Sequence, residues 1–160
     1  FNTSVSYKNF DLGMQFSFMY GNKIFNQMRF LSSRGFCYDA ARVERVNAWS
    51  KPGDITTEHK VLTSTDARDN QFSSKYVENG SYLRLNNLSI GYTLPSNISN
   101  ILKLSSLRVY LSAQNLFTIT QYKGYDPEVN SKASNIHTQG VDIGMIPQVS
   151  TYMLGLNVKF

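Results

Sequence analysis

The chain's 160 residues suit a single domain. Sixteen Lys and Arg face 11 Asp and Glu, and nine of the basic residues fall between Lys23 and Lys75 among six acids. Nucleic-acid binding needs basic side chains gathered on one face, so this interspersed charge reads as an ordinary solubilising surface, and no nucleic-acid partner is expected. A lone cysteine, Cys37, excludes an internal disulfide and a multi-cysteine metal site, and no run approaches the ~20 apolar residues of a membrane-spanning helix. Ten Tyr and ten Phe against four Pro point instead to β-structure.

Five segments alternate with period two, the pattern of strands with two unlike faces. In the first, Phe1 to Lys8, Phe1, Thr3, Val5 and Tyr7 oppose Asn2, Ser4, Ser6 and Lys8. In the second, Asp11 to Tyr20, Leu12, Met14, Phe16, Phe18 and Tyr20 oppose Asp11, Gly13, Gln15, Ser17 and Met19. Only Asn9 and Phe10 lie between them, which predicts a tight hairpin. Two of the connections are long, and the first, after the second strand, spans Gly21 to Ser81. Within it Asp39 is a candidate cap for a helix reaching Trp49, with Val43 and Val46 at helical spacing, and Lys51-Pro52-Gly53-Asp54 ends it.

The third strand runs from about Tyr82 to Leu94. Leu88, Ile90, Tyr92 and Leu94 share a face, while Leu83 and Leu85 sit in the opposite phase. A β-bulge near Asn86-Asn87 would restore one continuous apolar face. Ser96 to Leu104, after Pro95, reads as about two helical turns. The fourth strand, Ser106 to Phe117, sets Leu107, Val109, Leu111, Ala113 and Phe117 against Arg108, Tyr110, Ser112 and Gln114. After the second long connection, Thr118 to Gln148, the fifth strand sets Tyr152, Leu154, Leu156, Val158 and Phe160 against Thr151, Met153, Gly155, Asn157 and Lys159.

A soluble β-sandwich also alternates, and such a module binding carbohydrate through a concave face is the alternative reading. Three features favour an antiparallel up-and-down transmembrane β-barrel. The strands are about 8 to 13 residues long, against ~5 to 6 in soluble proteins and ~9 to 11 for a tilted membrane strand. The apolar faces carry no charge and end in aromatics: Tyr7, Tyr92 and Phe160 at the short-connection end, Phe18, Tyr20, Phe117 and Tyr152 at the other. Two such belts are what bilayer interfaces select. All short connections fall on one side and all long ones on the other, as with the periplasmic turns and extracellular loops of outer-membrane barrels. Lipid cannot satisfy open sheet edges, so five strands are expected to be part of a larger barrel. The chain does not begin with Met, and the expectation is the tail of a longer protein.

The stretch GSYLRLNNLSIGYTLP from Gly80 to Pro95 resembles the GSYLRLKNLTLGYTLP segment of SusC/RagA transporters, which are TonB-dependent. SLRVYLSAQNLFT from Ser106 to Thr118 and YKGYDPE from Tyr122 to Glu128 are similar to the next family block. Pro147 and Thr151 to Phe160 resemble its closing strand, and Trp49 with Pro52-Gly53-Asp54 a weaker loop motif. The resemblance implies the C-terminal part, residues 1–160, of a barrel of about 22 strands in a bacterial outer membrane, its plug and earlier strands lying elsewhere. It further implies a SusD-like surface lipoprotein as lid, TonB acting through the plug, and glycans or peptides as cargo. Tyr152, Leu154, Leu156, Val158 and Phe160 look like the signal read by the barrel-assembly machinery, whose physical logic is strand addition.

Other candidates are weaker. Asp126 and Glu128 flank Pro127, but no partner nucleophile or His accompanies them, so no catalysis is expected. His59 and His137 lack ligand spacing, and neither metal nor cofactor is expected. Trp49, Tyr76, Tyr122 and Tyr125, with Gln71, Asn70, Asn130 and Asn135, are candidates for stacking and bonding to cargo. The favoured expectation is that the same rings anchor the loops to the barrel rim or bind the lid. Arg84 and Arg108 lie on the polar face, either lining a lumen or held in ion pairs.

Overall fold

A computed structural model describes residues 1–34, 43–58, 71–101, 103–129 and 139–160. The strands are β1 (Asn2–Tyr7), β2 (Phe10–Met19), β3 (Lys23–Asn26), β4 (Val77–Asn79), β5 (Tyr82–Thr93), β6 (Ser106–Thr120), β7 (Val141–Asp142) and β8 (Thr151–Lys159). Among the described residues, two helices, α1 (Gln27–Arg34) and α2 (Ser96–Ile101), and 3-10 turns at Val43–Asn47 and Ser74–Tyr76 complete the elements. The chain divides into two compact units. One comprises Phe1–Gly21, Gly80–Gln121 and Pro147–Phe160; the other comprises Asn22–Asn79 and Tyr122–Ile146.

The first unit is an open antiparallel sheet in the order β1-β2-β5-β6-β8, each strand beside its predecessor in the unit. These are the five strands expected from alternation, with shifted ends. The hairpin turn is Lys8-Asn9, not Asn9-Phe10, because Tyr7 pairs with Phe10. Phe10 thereby joins the apolar face, its ring 4.5 Å from that of Tyr92. Lys8 takes φ 53 at the turn, and Asn9 ties the turn to β5 by donating Nδ2–H to Thr93 O at 2.7 Å. β6 continues to Thr120, three residues beyond the expected end, adding Ile119 opposite Leu83.

The expected bulge is present. Gln15 pairs with Asn87 and Phe16 with Leu85, so Asn86 has no counterpart on β2. Its side chain accepts a hydrogen bond from Ser17 Oγ at 2.7 Å. On β6 the ladder steps from Gln114 to Phe117 over the same interval, and Asn115 adopts φ 50. The extra residue reverses the phase of Leu83 and Leu85, which now meet Phe18 and Phe16 on one side and Ile119 and Phe117 on the other.

Cross-strand register therefore assembles one uncharged face. Val5, Leu12, Ile90, Leu111 and Leu154 form a single row across all five strands. A sandwich would bury that row against a second layer. Here Ile90 is 42% exposed, Leu111 45% and Leu154 77%.

After β5, α2 is shorter than the two turns expected. Lys103 turns the chain at φ 57. Its N–H donates to Asn100 O and that of Leu104 to Ser99 O, the paired bonds of a Schellman stop.

The second unit adds to the two long connections three short strands that alternation did not predict. Its sheet has the order β4-β3-β7, with β3 antiparallel to β4 and parallel to β7. Asn26 ends β3 and caps α1, its Oδ1 accepting from Arg29 N at 2.9 Å. Ile24, Phe30 and Tyr76 are buried, and the rings of Phe25, Phe30, Phe72 and Tyr76 meet at centroid distances of 5.1 to 6.4 Å. The predicted helix from Asp39 to Trp49 is met in part by the Val43–Asn47 3-10 turn; Asp39, like Cys37, lies outside the described residues.

Candidate functional site

The surface with a physical demand on its surroundings is the sheet itself. Its uncharged face ends in Tyr7, Phe10 and Tyr92 at the short-connection end and in Phe18, Phe117 and Tyr152 at the other. Tyr7, Phe10, Phe18 and Tyr152 are all well exposed. Such a face is costly in water and suited to hydrocarbon bounded by two interfaces.

The opposite face is polar and partly crosslinked. Arg108 reaches across β5 to Asp11 on β2, Nε to Oδ1 at 3.0 Å, with a second guanidinium nitrogen on Oδ2. It crosses over Gly91, where a Cβ would collide with the guanidinium. Tyr110 lies over Gly155 of β8 in the same way, and the Arg108 guanidinium sits 5.2 Å from its ring centroid. Arg84 is buried, with Nε donating to Thr118 Oγ1 at 3.0 Å. Both arginines thus lie on the polar face in bonded positions, Arg108 in an ion pair.

On β8, Tyr152, Leu154, Leu156, Val158 and Phe160 are all exposed. β8 pairs only with β6, so its other edge carries no strand among the described residues. An exposed edge with alternating apolar side chains is the geometry that strand addition uses.

The loop candidates among the described residues are not brought together into one site. Tyr122 is buried, and its hydroxyl donates to Asp142 Oδ2 at 2.6 Å. Burial, then the Asp142 bond and the charges of Asp142 and Glu78, push the Tyr122 phenol well above its ordinary range. Tyr76 is buried in the aromatic core, Trp49 is half-buried with its backbone N–H donating to Glu58 O, and Tyr125 is 74% exposed. Of these four, Tyr125 offers the most open ring, and Trp49 is part-exposed. Asp126 is buried with Oδ1 accepting from Glu128 N at 2.9 Å, whereas Glu128 is exposed. The two carboxylates are thus placed in unlike environments. Gln71 is exposed; Asn70, Asn130, Asn135, His59 and His137 lie outside the described residues.

Pro52-Gly53-Asp54 forms a self-closed turn. Asp54 Oδ2 accepts from Ser50 Oγ at 2.8 Å and from the N–H groups of Ser50 and Lys51 at 3.0 Å. These bonds, the Ser50 hydroxyl foremost, hold its carboxyl below the usual range.

Sequence reasoning missed the residues that organise the second unit. Asp142 accepts from Gly144 N and Met145 N on Oδ1 while Oδ2 takes the Tyr122 hydroxyl. Glu78 accepts from Arg29 Nη1 at 3.0 Å and, on its other oxygen, from Lys123 N at 3.0 Å. The Asp-Ile-Gly spacing of an Asx-turn was a signal for Asp142. Nothing local marked Glu78.

No family model matches the chain. The TonB-dependent receptor P3 of Formosa agariphila is 38% identical over 164 residues, covering 100% of this chain and 16% of the receptor. The TonB-dependent receptor SusC of Bacteroides thetaiotaomicron is 29% identical over 163 residues, covering 99% of this chain and 14% of SusC. Among solved structures, the RagAB peptide importer in its open-open state superposes with a TM-score of 0.77 at 30% identity, covering 97% of this chain and 16% of that one. The chain thus spans about one sixth of the length of the relatives it matches. Those relatives are receptors and transporters, and their fold is the one to which this open, two-faced sheet corresponds. The chain belongs to the SusC/RagA family of TonB-dependent outer-membrane receptors, as one segment of such a barrel.

Proposed function

We propose that this chain is the C-terminal barrel segment of an outer-membrane transporter that imports glycans or peptides, powered by TonB through a plug encoded elsewhere in the protein. A SusD-like surface lipoprotein acts with it, and the function is transport, not catalysis. The observation that carries this reading is the uncharged face running unbroken through five strands, Val5 to Leu154, while the opposite face holds Asp11, Arg84 and Arg108. One side is matched to lipid and the other to a wet lumen. The names of the relatives, a peptide importer and SusC, support import as the task.

In this reading the second unit is extracellular, and Trp49, Tyr125 and Glu128 are its candidates for cargo or lid contact. Tyr122 and Asp126 serve from behind, by fixing the loops. Tyr152, Leu154, Leu156, Val158 and Phe160 of β8 and its end present the edge read by the assembly machinery.

The test is uptake by cells carrying the full-length gene or its deletion, fed labelled oligosaccharides and oligopeptides with and without a proton-motive-force uncoupler. Deletion and uncoupling should each abolish accumulation of one cargo class. Undiminished accumulation of every cargo in the deletion strain would overturn the proposal.

A further inference from the structure

The five-stranded unit contains five basic residues, Lys8, Arg84, Lys103, Arg108 and Lys159, against one acid, Asp11. Asp11 is neutralised by Arg108. Arg84 sits buried toward the long-connection end of β5. The three remaining cations all lie at the short-connection end. Lys8 forms the β1–β2 turn, Lys103 the turn into β6, and Lys159 ends β8 opposite Ser106. All three are exposed.

They form a rim and are not scattered. Ser105 N donates to Lys159 O at 2.8 Å, which sets the α2–β6 turn against the end of β8. Thr93 N donates to Asn9 O at 2.8 Å, which sets the Lys8 turn against the end of β5. From β2 to β8 is three strand spacings, roughly 15 Å. The rim also borders the aromatic end of the uncharged face: Lys8 Nζ stands 5.3 Å from the centroid of the Tyr7 ring. Beside it a cleft of about 330 Å³ is lined by Ser6, Lys8, Asn9, Phe10, Asp11 and Thr93. Ammonium groups beside interfacial aromatics, on long stems able to bend toward water, sit at headgroup depth.

We propose that this rim binds the phosphate headgroups of anionic phospholipids in the leaflet at the short-connection side of the membrane. The inference rests on the barrel reading above, which supplies the bilayer. Charge complementarity names the occupant: three cations and, among the described residues of this unit, no acidic side chain but the Arg108-paired Asp11, at the level where phosphates lie. Juxtamembrane lysines raise affinity for anionic surfaces by about fivefold each.

The experiment reconstitutes the full-length receptor in phosphatidylcholine vesicles with trace labelled phosphatidylglycerol, using labelled phosphatidylcholine as reference. Wild type should enrich phosphatidylglycerol at its surface. The variant carrying Lys8→Gln, Lys103→Gln and Lys159→Gln should lose that preference by about tenfold or more, and the corresponding triple Arg variant should keep it. Lys51→Gln with Lys123→Gln, in the other unit, should change nothing. Equal enrichment in wild type and the triple Gln variant overturns the proposal, as does loss in the Arg variant. Unchanged enrichment with loss of a co-purifying periplasmic protein would assign the rim to that protein instead. Heat-modifiable migration of each variant separates these outcomes from a failed barrel, which would count against the transporter reading itself.

Discussion

The Tyr122 hydroxyl is one atom with a measurable task. Tyr122→Phe leaves Asp142 Oδ2 buried without that donor, although Oδ1 keeps its two backbone bonds. Losing one partner of a buried carboxylate costs about 1–3 kcal/mol. Hydrogen exchange in the full-length receptor should show faster exchange at Val141–Asp142 and at Lys23–Asn26, to which β7 pairs. Unchanged protection there would remove Tyr122 from any organising role. Asp54 gives a pH signature. Its folded pKa is depressed by the Ser50 hydroxyl and two N–H groups, so its contribution is present above the unfolded value near 3.9 and is lost as pH falls through the lower folded value. Protection of the Ser50 and Lys51 amides should therefore hold at neutral pH and fall only under strong acid, and Ser50→Ala should shift that loss to higher pH. Identical acid profiles in the two proteins would show that the hydroxyl does not tune this carboxyl.

Among elements, β5 shows most directly how chain order becomes membrane fit. Deleting Asn86 would remove the bulge and turn Tyr82 to Leu85 over, sending Arg84 to the lipid side. Arg on a barrel's lipid face costs from about 0–1 kcal/mol near an interface to about 2–4 kcal/mol at the midplane, Arg84 lies toward the long-connection end of β5, and two leucines would enter the polar side as well. The deletion should sharply reduce the heat-modifiable barrel in outer membranes, whereas Asn86→Ser should leave it near wild type; equal levels in both would mean the phase reversal is not needed. This bulge was legible from Leu83 and Leu85 standing out of phase with Leu88 and Ile90, since each pleat reports its own side. β3, β4 and β7 were not legible, because four, three and two residues are too few to show a period. Their unit is held by rings distant in sequence, Phe25 to Phe72 and Tyr76 among them. The ion pair of Arg108 with Asp11 spans 97 positions and likewise has no local signature. The position of the first turn was missed by one residue because Phe10 pairs with Tyr7 and Tyr92 in the ladder, its ring against that of Tyr92, and so belongs to β2.

For the whole molecule, the open sheet must gain partners on both outer edges before lipid can accept it. β8 is the edge proposed to be read during assembly, and Phe160→Ala in the full-length receptor should lower the folded outer-membrane level several-fold without altering synthesis. A normal level in that mutant would show that the terminal ring is only one more lipid-facing side chain. The family was legible because whole blocks, Gly80 to Pro95 and Ser106 to Thr118, follow in order; cargo contacts were not, since loop rings serve both as anchors and as open faces, and only packing separates Tyr122 from Tyr125. One consequence concerns engineering. Because β3 and β7 come from different connections yet share a ladder, through Phe25 with Val141 and Asn26 with Asp142, and Glu78 holds Lys123 N, the two insertions are a matched set. A chimaera that exchanges one with a homologue's sequence should lose surface recognition by conformation-specific antibodies, and exchanging both together should restore it.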